Sequence, residues 1–329
     1  MDFETAERLR MLSNKYETAS FCDQDPSQFL RRYSDPKEAE AASFFAALLS
    51  FGSRSIFIPK IKYVFDLADK SFGKSCGKSC NSGPAVISES PCNSGPAGIS
   101  ENTCSSEEAG DSGFYKWILT GAFKKDFYSP DGNNSQKFYR FYSYQDILTF
   151  FEELQALLQN YRSLGQAVKQ KMEEMSEGAK SQSPYSEAGK FAPALLCTDA
   201  IISFFEKSKI VPKGKSSAKK RLFMFLRWMV RPSSPVDLGL WDWLSPSSLI
   251  IPLDTHVLSE SQKLSLIPEK SACSIKTALL LSDKLSEVWP DDPLKGDFAL
   301  FGLGVDAGKV DISQVDSSEV PSSDVDSME

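Results

Sequence analysis

The segment Ala39–Phe51, AEAASFFAALLSF, is apolar on nearly every side of a helix. Such a helix has no face to give to water, so it must run through the middle of a fold and be covered all round. The chain holds the elements to cover it. Leu154, Leu157, Leu158, Tyr161, Leu164, Val168 and Met172 recur at helical spacing and predict one long amphipathic helix. Leu195–Phe205 predicts another, and Ser216–Val230 predicts a helix with a basic start and an apolar, aromatic body. Ile275, Ala278, Leu279, Leu285 and Val288 mark a helix within Ser271–Trp289, stopped by Pro290. No convincing period-2 strand is present, so the expected fold class is all-α. Phe127–Gln136 and Gly178–Gly189, rich in Gly, Pro, Ser and Asn, are expected loops.

Two stretches stand apart from that domain. Gly73–Gly113 has ten Ser, seven Gly and no aromatic residue, and it carries the near-copies CNSGPAVISES and CNSGPAGISEN. It has too little apolar surface to offset its ordering entropy and is expected to be a disordered insertion. From Asp306 the chain is acidic, Ser-rich and repetitive, and 306–329 is expected to be a disordered tail. The expected domain is therefore a single helical unit, 1–72 plus 114–305. The formal net charge is −7, of which the tail carries −6 and the insertion −3, leaving the folded body at +2. An acidic total thus does not exclude a nucleic-acid partner, and local patches decide.

The seven cysteines include no CxxC pair, and His256 is the only histidine, so neither a structural zinc site nor an iron–sulfur cluster is expected. A metal site on Cys76, Cys80, Cys92 and Cys104 is the less favoured alternative. No apolar run reaches about 18 residues, and Met1–Arg10 lacks the apolar core of a secretory leader. The expectation is a soluble cytoplasmic protein with reduced thiols, no membrane span and no cofactor.

Chemistry concentrates in two segments. In Leu249–Leu258, LIIPLDTHVL, an apolar run ends at Pro252 and Asp254 falls where a helix begins. A carboxylate there accepts hydrogen bonds from the free N–H groups of the first turn, which fixes it and keeps it ionised. Asp is also among the commonest helix caps, so by itself the residue reads as a cap. The second segment, Lys207–Arg231, holds nine Lys or Arg and no acid. Pro212 and Gly214 mark a turn before the helix, and a glycine turn at a helix start offers N–H groups to a phosphate. Lys213, Lys215, Lys219 and Arg221 would add the electrostatic attraction of nucleic-acid binding, although by themselves they read first as a solvated basic face.

Together these segments resemble helix-hairpin-helix DNA glycosylases, in which a hairpin leads into a helix that carries, in bifunctional members, a lysine nucleophile. Downstream follows a proline–x–Asp–Thr–His–Val segment whose aspartate is catalytic. Pro252-Leu253-Asp254-Thr255-His256-Val257 matches that segment, and Lys220 aligns with the lysine, with Lys219 as second choice. Ala39–Arg54 resembles the early helix and the loop after it, and Asp297–Gly304, DFALFGLG, the late helix beside the aspartate. The implied fold is a two-lobed helical bundle. The chain also resembles, more closely, an uncharacterised bacterial family of conserved hypothetical proteins with AASFFAALLSFGSR, KFYRF (Lys137–Phe141), KRLFMFLRWMVR, IIPLDTHV and DFALFGLG as hallmarks. There are departures from the glycosylases. Val211-Pro212-Lys213-Gly214 replaces the usual Leu-Pro-Gly-Val-Gly hairpin, the four-cysteine cluster motif is missing, and Lys220 and Asp254 lie 34 positions apart. That spacing is longer than in most such enzymes and similar to an archaeal oxoguanine-specific branch.

The resemblance implies base excision on double-stranded DNA. A damaged nucleotide is flipped into a pocket between the lobes. Lys220 attacks the anomeric carbon, and Asp254 takes the amine proton or stabilises the developing charge. If Lys220 is not the nucleophile, Asp254 activates water instead. Gly52, Ser53 and Arg54 occupy the loop that would fill the vacated stack, although Arg54 reads more readily as an ordinary surface arginine. His256 is expected to pack or hydrogen-bond on the new helix, with phosphate contact as the alternative. Two other functions stay open: a noncatalytic helical DNA-binding protein, and an interaction protein whose acidic tail engages a basic partner.

Overall fold

A computed structural model describes residues 1–72, 113–178 and 185–314. The chain runs α1 (Phe3–Tyr16), α2 (Pro36–Leu49), α3 (Arg54–Phe72), α4 (Phe114–Leu119) and α5 (Phe123–Asp126). A small hairpin follows, β1 (Lys137–Tyr139) and β2 (Tyr142–Ser143). Then come α6 (Tyr144–Asn160), α7 (Leu164–Gly178), α8 (Ala192–Phe204), α9 (Lys220–Val230), α10 (Thr255–Lys263), α11 (Ile275–Ser286) and α12 (Lys295–Gln314). The described residues are predominantly helical. No helix among them is long and apolar enough to cross a membrane. Most of the insertion, 73–112, lies outside the described residues, as do its four cysteines and residues 315–329 of the tail.

Helix α2 is the central rod that its composition demands. Every residue from Glu38 to Leu49 is buried. Asp35 caps it by accepting from the N–H groups of Lys37 and Glu38 at 2.9 and 3.0 Å, and Pro36 follows at the first helical position, where its missing N–H costs nothing. Phe44 meets Phe150 of α6, Phe205 after α8 and Phe225 of α9, while Phe45 meets Phe65 of α3 and Phe114 of α4. Each buried Phe contributes about 1.5–3 kcal/mol relative to exposure, and the buried apolar side chains join in one connected core.

The structure corrects four boundaries. The single helix expected across Leu154–Met172 is two, α6 and α7, because the chain turns extended at Tyr161. The break has a purpose-built cap. The buried Glu40 carboxylate accepts from the N–H groups of Leu164 and Gly165 at 2.7 and 2.9 Å, and from the Trp241 indole at 2.6 Å. A Cβ on Gly165 would collide with that indole, so only glycine fits. The helix expected from Ser216 starts at Lys220, because Lys219 takes a left-handed backbone (φ 46°) and the Ser216 carbonyl is engaged by the Ile275 N–H at 3.2 Å. Strands were not expected, yet Lys137 pairs with Ser143 and Tyr139 with Tyr142; five residues of mostly aromatic sequence are too few to show alternation. Finally, α12 continues past 305, where the tail was expected to begin, to Gln314. No proline lies between Pro293 and Pro321 to stop it.

Two carboxylates on α2 make stability depend on pH. Burial pushes Glu38 up to about 8 from an ordinary 4.5, against the lowering effect of the Phe114 and Tyr115 backbone. Burial likewise pushes Glu40 up to about 7. A raised carboxylate keeps its proton in the folded state after the unfolded chain has lost it, so stability falls as pH rises from 4.5 towards these values. Thermal melts between about pH 5 and pH 8 should therefore show Tm dropping by several degrees. Glu38→Gln should flatten that slope, and an unchanged slope would place the proton elsewhere.

Candidate functional site

The buried strip Leu249–Leu253 delivers Asp254 to the start of α10. Asp254 has an extended backbone, and its Oδ1 accepts from the N–H groups of His256 and Val257 at 3.0 and 2.9 Å. The expected cap is thus present, and it occupies only one carboxylate oxygen. The other, Oδ2, lies 2.8 Å from Nζ of Lys220, the first residue of α9. Both side chains are about one-third exposed, 34% for Lys220 and 33% for Asp254. Burial pushes the Asp254 carboxyl up, but the Lys220 charge, its hydrogen bond and the two backbone N–H groups outweigh it and hold the group below the usual carboxylate range. The site therefore presents an ionised carboxylate, oriented by a helix start and facing an amine at the protein surface.

Behind the pair sits an ionic cluster that the sequence reading did not single out. Asp297, in the first turn of α12, pairs with Arg227 of α9. Burial pushes the Asp297 carboxyl up, Arg227 opposes this, and the charge of Asp254 adds to it. Arg227 also reaches Asp237 at 3.3 Å, and Arg231 holds Asp237, Glu17 and Asp292 at 2.5, 2.7 and 2.8 Å. The Phe298 ring lies under both guanidinium groups. A signal existed: two arginines one turn apart in an otherwise apolar, aromatic helix must meet carboxylates inside the fold. Cys273 is also near, with its thiol pushed up by burial and by Asp254, against Lys220.

The remaining candidates divide into three groups. Lys213, Lys215 and Lys219 line one cleft of about 720 Å³ together with Asp199 and the apolar Leu279. Within it Lys219 is turned inward and buried, 2.8 Å from Asp199, while the Lys213 ammonium donates to the carbonyls of Glu206 and Ser208 at 2.6 Å each. Gly214 forms a turn with Ser217 (N–H to carbonyl, 3.2 Å) and sits ahead of the α9 start rather than on it. Arg221 points elsewhere: it donates to the Leu48 carbonyl at the end of α2 and to the Tyr142 hydroxyl at 3.2 Å, and stacks over Phe51. Arg54 begins α3, 3.6 Å from Asp25 and over the Phe301 ring. The exposed His256 packs its ring on Gly304 of α12, where a Cβ would collide with it, and Tyr16 of α1 packs on Gly302 in the same way. The DFALFGLG glycines are thus where α1 and α10 close on α12.

No curated protein and no solved structure matches this chain. A family profile described as "Protein of unknown function (DUF2400)" matches residues 25–82 and 111–306, which include Lys220, Asp254 and the Asp297 cluster and leave out much of the repetitive insertion. Covering more than half of the chain, that match identifies the protein as a member of the DUF2400 family.

Proposed function

We propose that this protein is a DNA base-excision glycosylase, built as a two-lobed helix-hairpin-helix-like bundle and acting on a flipped, damaged nucleotide through Lys220 and Asp254. The observation that carries the reading is the 2.8 Å approach of the Lys220 amine to the one Asp254 oxygen that the helix cap leaves open. In the proposed reaction Lys220 passes a proton to a base, with Asp254 Oδ2 in place to take it. The amine nitrogen then bonds to C1′ as the bond from C1′ to the base breaks. The electrons of that bond leave with the nucleobase, which picks up a proton. The C1′–O4′ bond then breaks as O4′ takes a proton from the amine nitrogen, which leaves the ring-opened sugar as a protonated imine. Strand cleavage by elimination from that imine would make the protein a glycosylase/lyase. With water as the nucleophile, Asp254 would act as its base and the product would be a free abasic site.

A second reading is a helical DNA-binding protein without chemistry. The ordinary ion-pair geometry of Lys220 and Asp254 favours it, because an amine that already has a carboxylate partner can serve the fold alone. Base release separates the two. On a panel of duplexes with oxidised, deaminated or alkylated bases, the wild-type chain should release one class of base. Asp254→Asn, which retains a good helix cap, should slow that release by about 10²–10⁴-fold. Salt-sensitive duplex binding with no release on any substrate would select the second reading.

A further inference from the structure

The β1–β2 hairpin presents a large aromatic side chain to solvent where the fold has no need of one. Phe141, at its tip, is 64% exposed. The preceding residue, Arg140, is held in the left-handed region at φ 51°, uncommon for a residue with a side chain. The tip is nonetheless well braced. The Tyr139 hydroxyl donates to the Phe51 carbonyl, and the Phe51 ring lies 5.4 Å from Phe141 and 5.6 Å from Tyr142. Two guanidinium groups lie over that same Phe51 ring, Arg221 at 4.8 Å and Arg140 at 5.7 Å. A Cβ on Gly52 would crowd the Arg140 guanidinium and the Tyr139 hydroxyl. Its φ of 84° asks for glycine as well.

Two consecutive residues tie this cluster to the candidate site. Lys220 reaches Asp254, and Arg221 reaches Phe51 and Tyr142. The first turn of α9 therefore has the amine–carboxylate pair on one side and a ledge of aromatic rings and guanidinium groups on the other. A largely exposed ring with an exposed guanidinium beside it matches a nucleic-acid strand: the ring stacks on a base while the Arg140 guanidinium meets a phosphate.

We propose that the hairpin tip, Phe141 braced on Phe51 and flanked by Arg140 and Arg221, is a stacking platform for an unpaired nucleobase in a locally opened DNA duplex. This inference rests on the DNA reading of the Lys220–Asp254 site and names the form of DNA that it engages, a strand with at least one base already free of its partner. The platform assigns binding to the hairpin, which carries none of the residues given a chemical role above.

The test is equilibrium binding of the full chain to two labelled duplexes of one sequence, one fully paired and one with a single unpaired base. The wild type should prefer the second. Phe141→Ala should bind the unpaired-base duplex about tenfold more weakly, change little on the paired one, and melt as the wild type does because the side chain it removes is exposed. Phe141→Trp should restore the preference. Phe141→Ala binding both duplexes like the wild type would overturn the platform and leave the Lys220–Asp254 reading intact, as would a wild type with no preference. A platform that behaves as expected in a chain that releases no base would sink the enzymatic reading alone. A wild type that binds neither duplex would sink both.

Discussion

Asp237→Ala should destabilise the protein by about 3–5 kcal/mol, the cost of removing one partner from a buried ion pair. Asp237 is fully buried and is shared by Arg227 and Arg231, whose side chains are only 5% and 2% exposed. Removing it leaves two guanidinium groups inside the fold with fewer carboxylates to compensate them. Burial pushes the Asp237 carboxyl up, and the two arginines oppose it, so a neutral replacement removes a charge that the site was arranged to hold. Typical domains have only about 5–15 kcal/mol in total, so the loss is a large share of the native stability. Urea denaturation with the exposed Asp242→Ala as control measures it; the control should stay within about 0.5 kcal/mol of the wild type. Equal midpoints for the two variants would show that the cluster is not a keystone of the fold.

The second large effect is on chemistry. Lys220→Ala should abolish any imine intermediate and any strand cleavage that depends on it, while changing stability little. The pair it breaks is one-third exposed, and exposed pairs are worth about 0–1 kcal/mol. Asp254 would keep its two backbone N–H donors and remain a helix cap. Activity lost together with a collapsed melting curve would assign Lys220 to the fold instead. Asp254 adds a pH signature of opposite sign to that of Glu38. Its folded carboxyl lies below the ordinary 3.8, so it stabilises the native state above that value, and the contribution is lost as pH falls through the folded value. The difference in melting temperature between wild type and Asp254→Asn should accordingly shrink in acid.

Helical elements with strong local signals were legible in the sequence. An apolar surface all round specified α2, and Asp254 after Pro252 marked the start of α10, because both are decided by residues near in the chain. The Lys220–Asp254 contact was approachable only through a resemblance, since nothing in spacing says that residues 34 positions apart will meet. What stayed hidden was decided by tertiary partners. The break after α6 depends on Glu40, more than a hundred positions upstream, and the late start of α9 depends on a carbonyl engaged from the α11 side. Lys213 and Lys219 read as basic residues available to a phosphate, and the fold gives them carbonyls and Asp199. Arg227 and Arg231 read as positive charge in the sequence, and the fold uses them as internal braces.

The central claim is that the Lys220 amine, set against Asp254, does covalent chemistry on an opened nucleotide. Borohydride reduction tests it most directly, because hydride converts an imine between protein and sugar into a permanent amine. Incubated with a duplex carrying an abasic site or the excised lesion, the wild-type chain should yield a trapped protein–DNA adduct whose modified peptide contains Lys220, and Lys220→Ala should yield none. An adduct that persists undiminished in Lys220→Ala, or a wild type that excises no base and traps on no duplex, would contradict it.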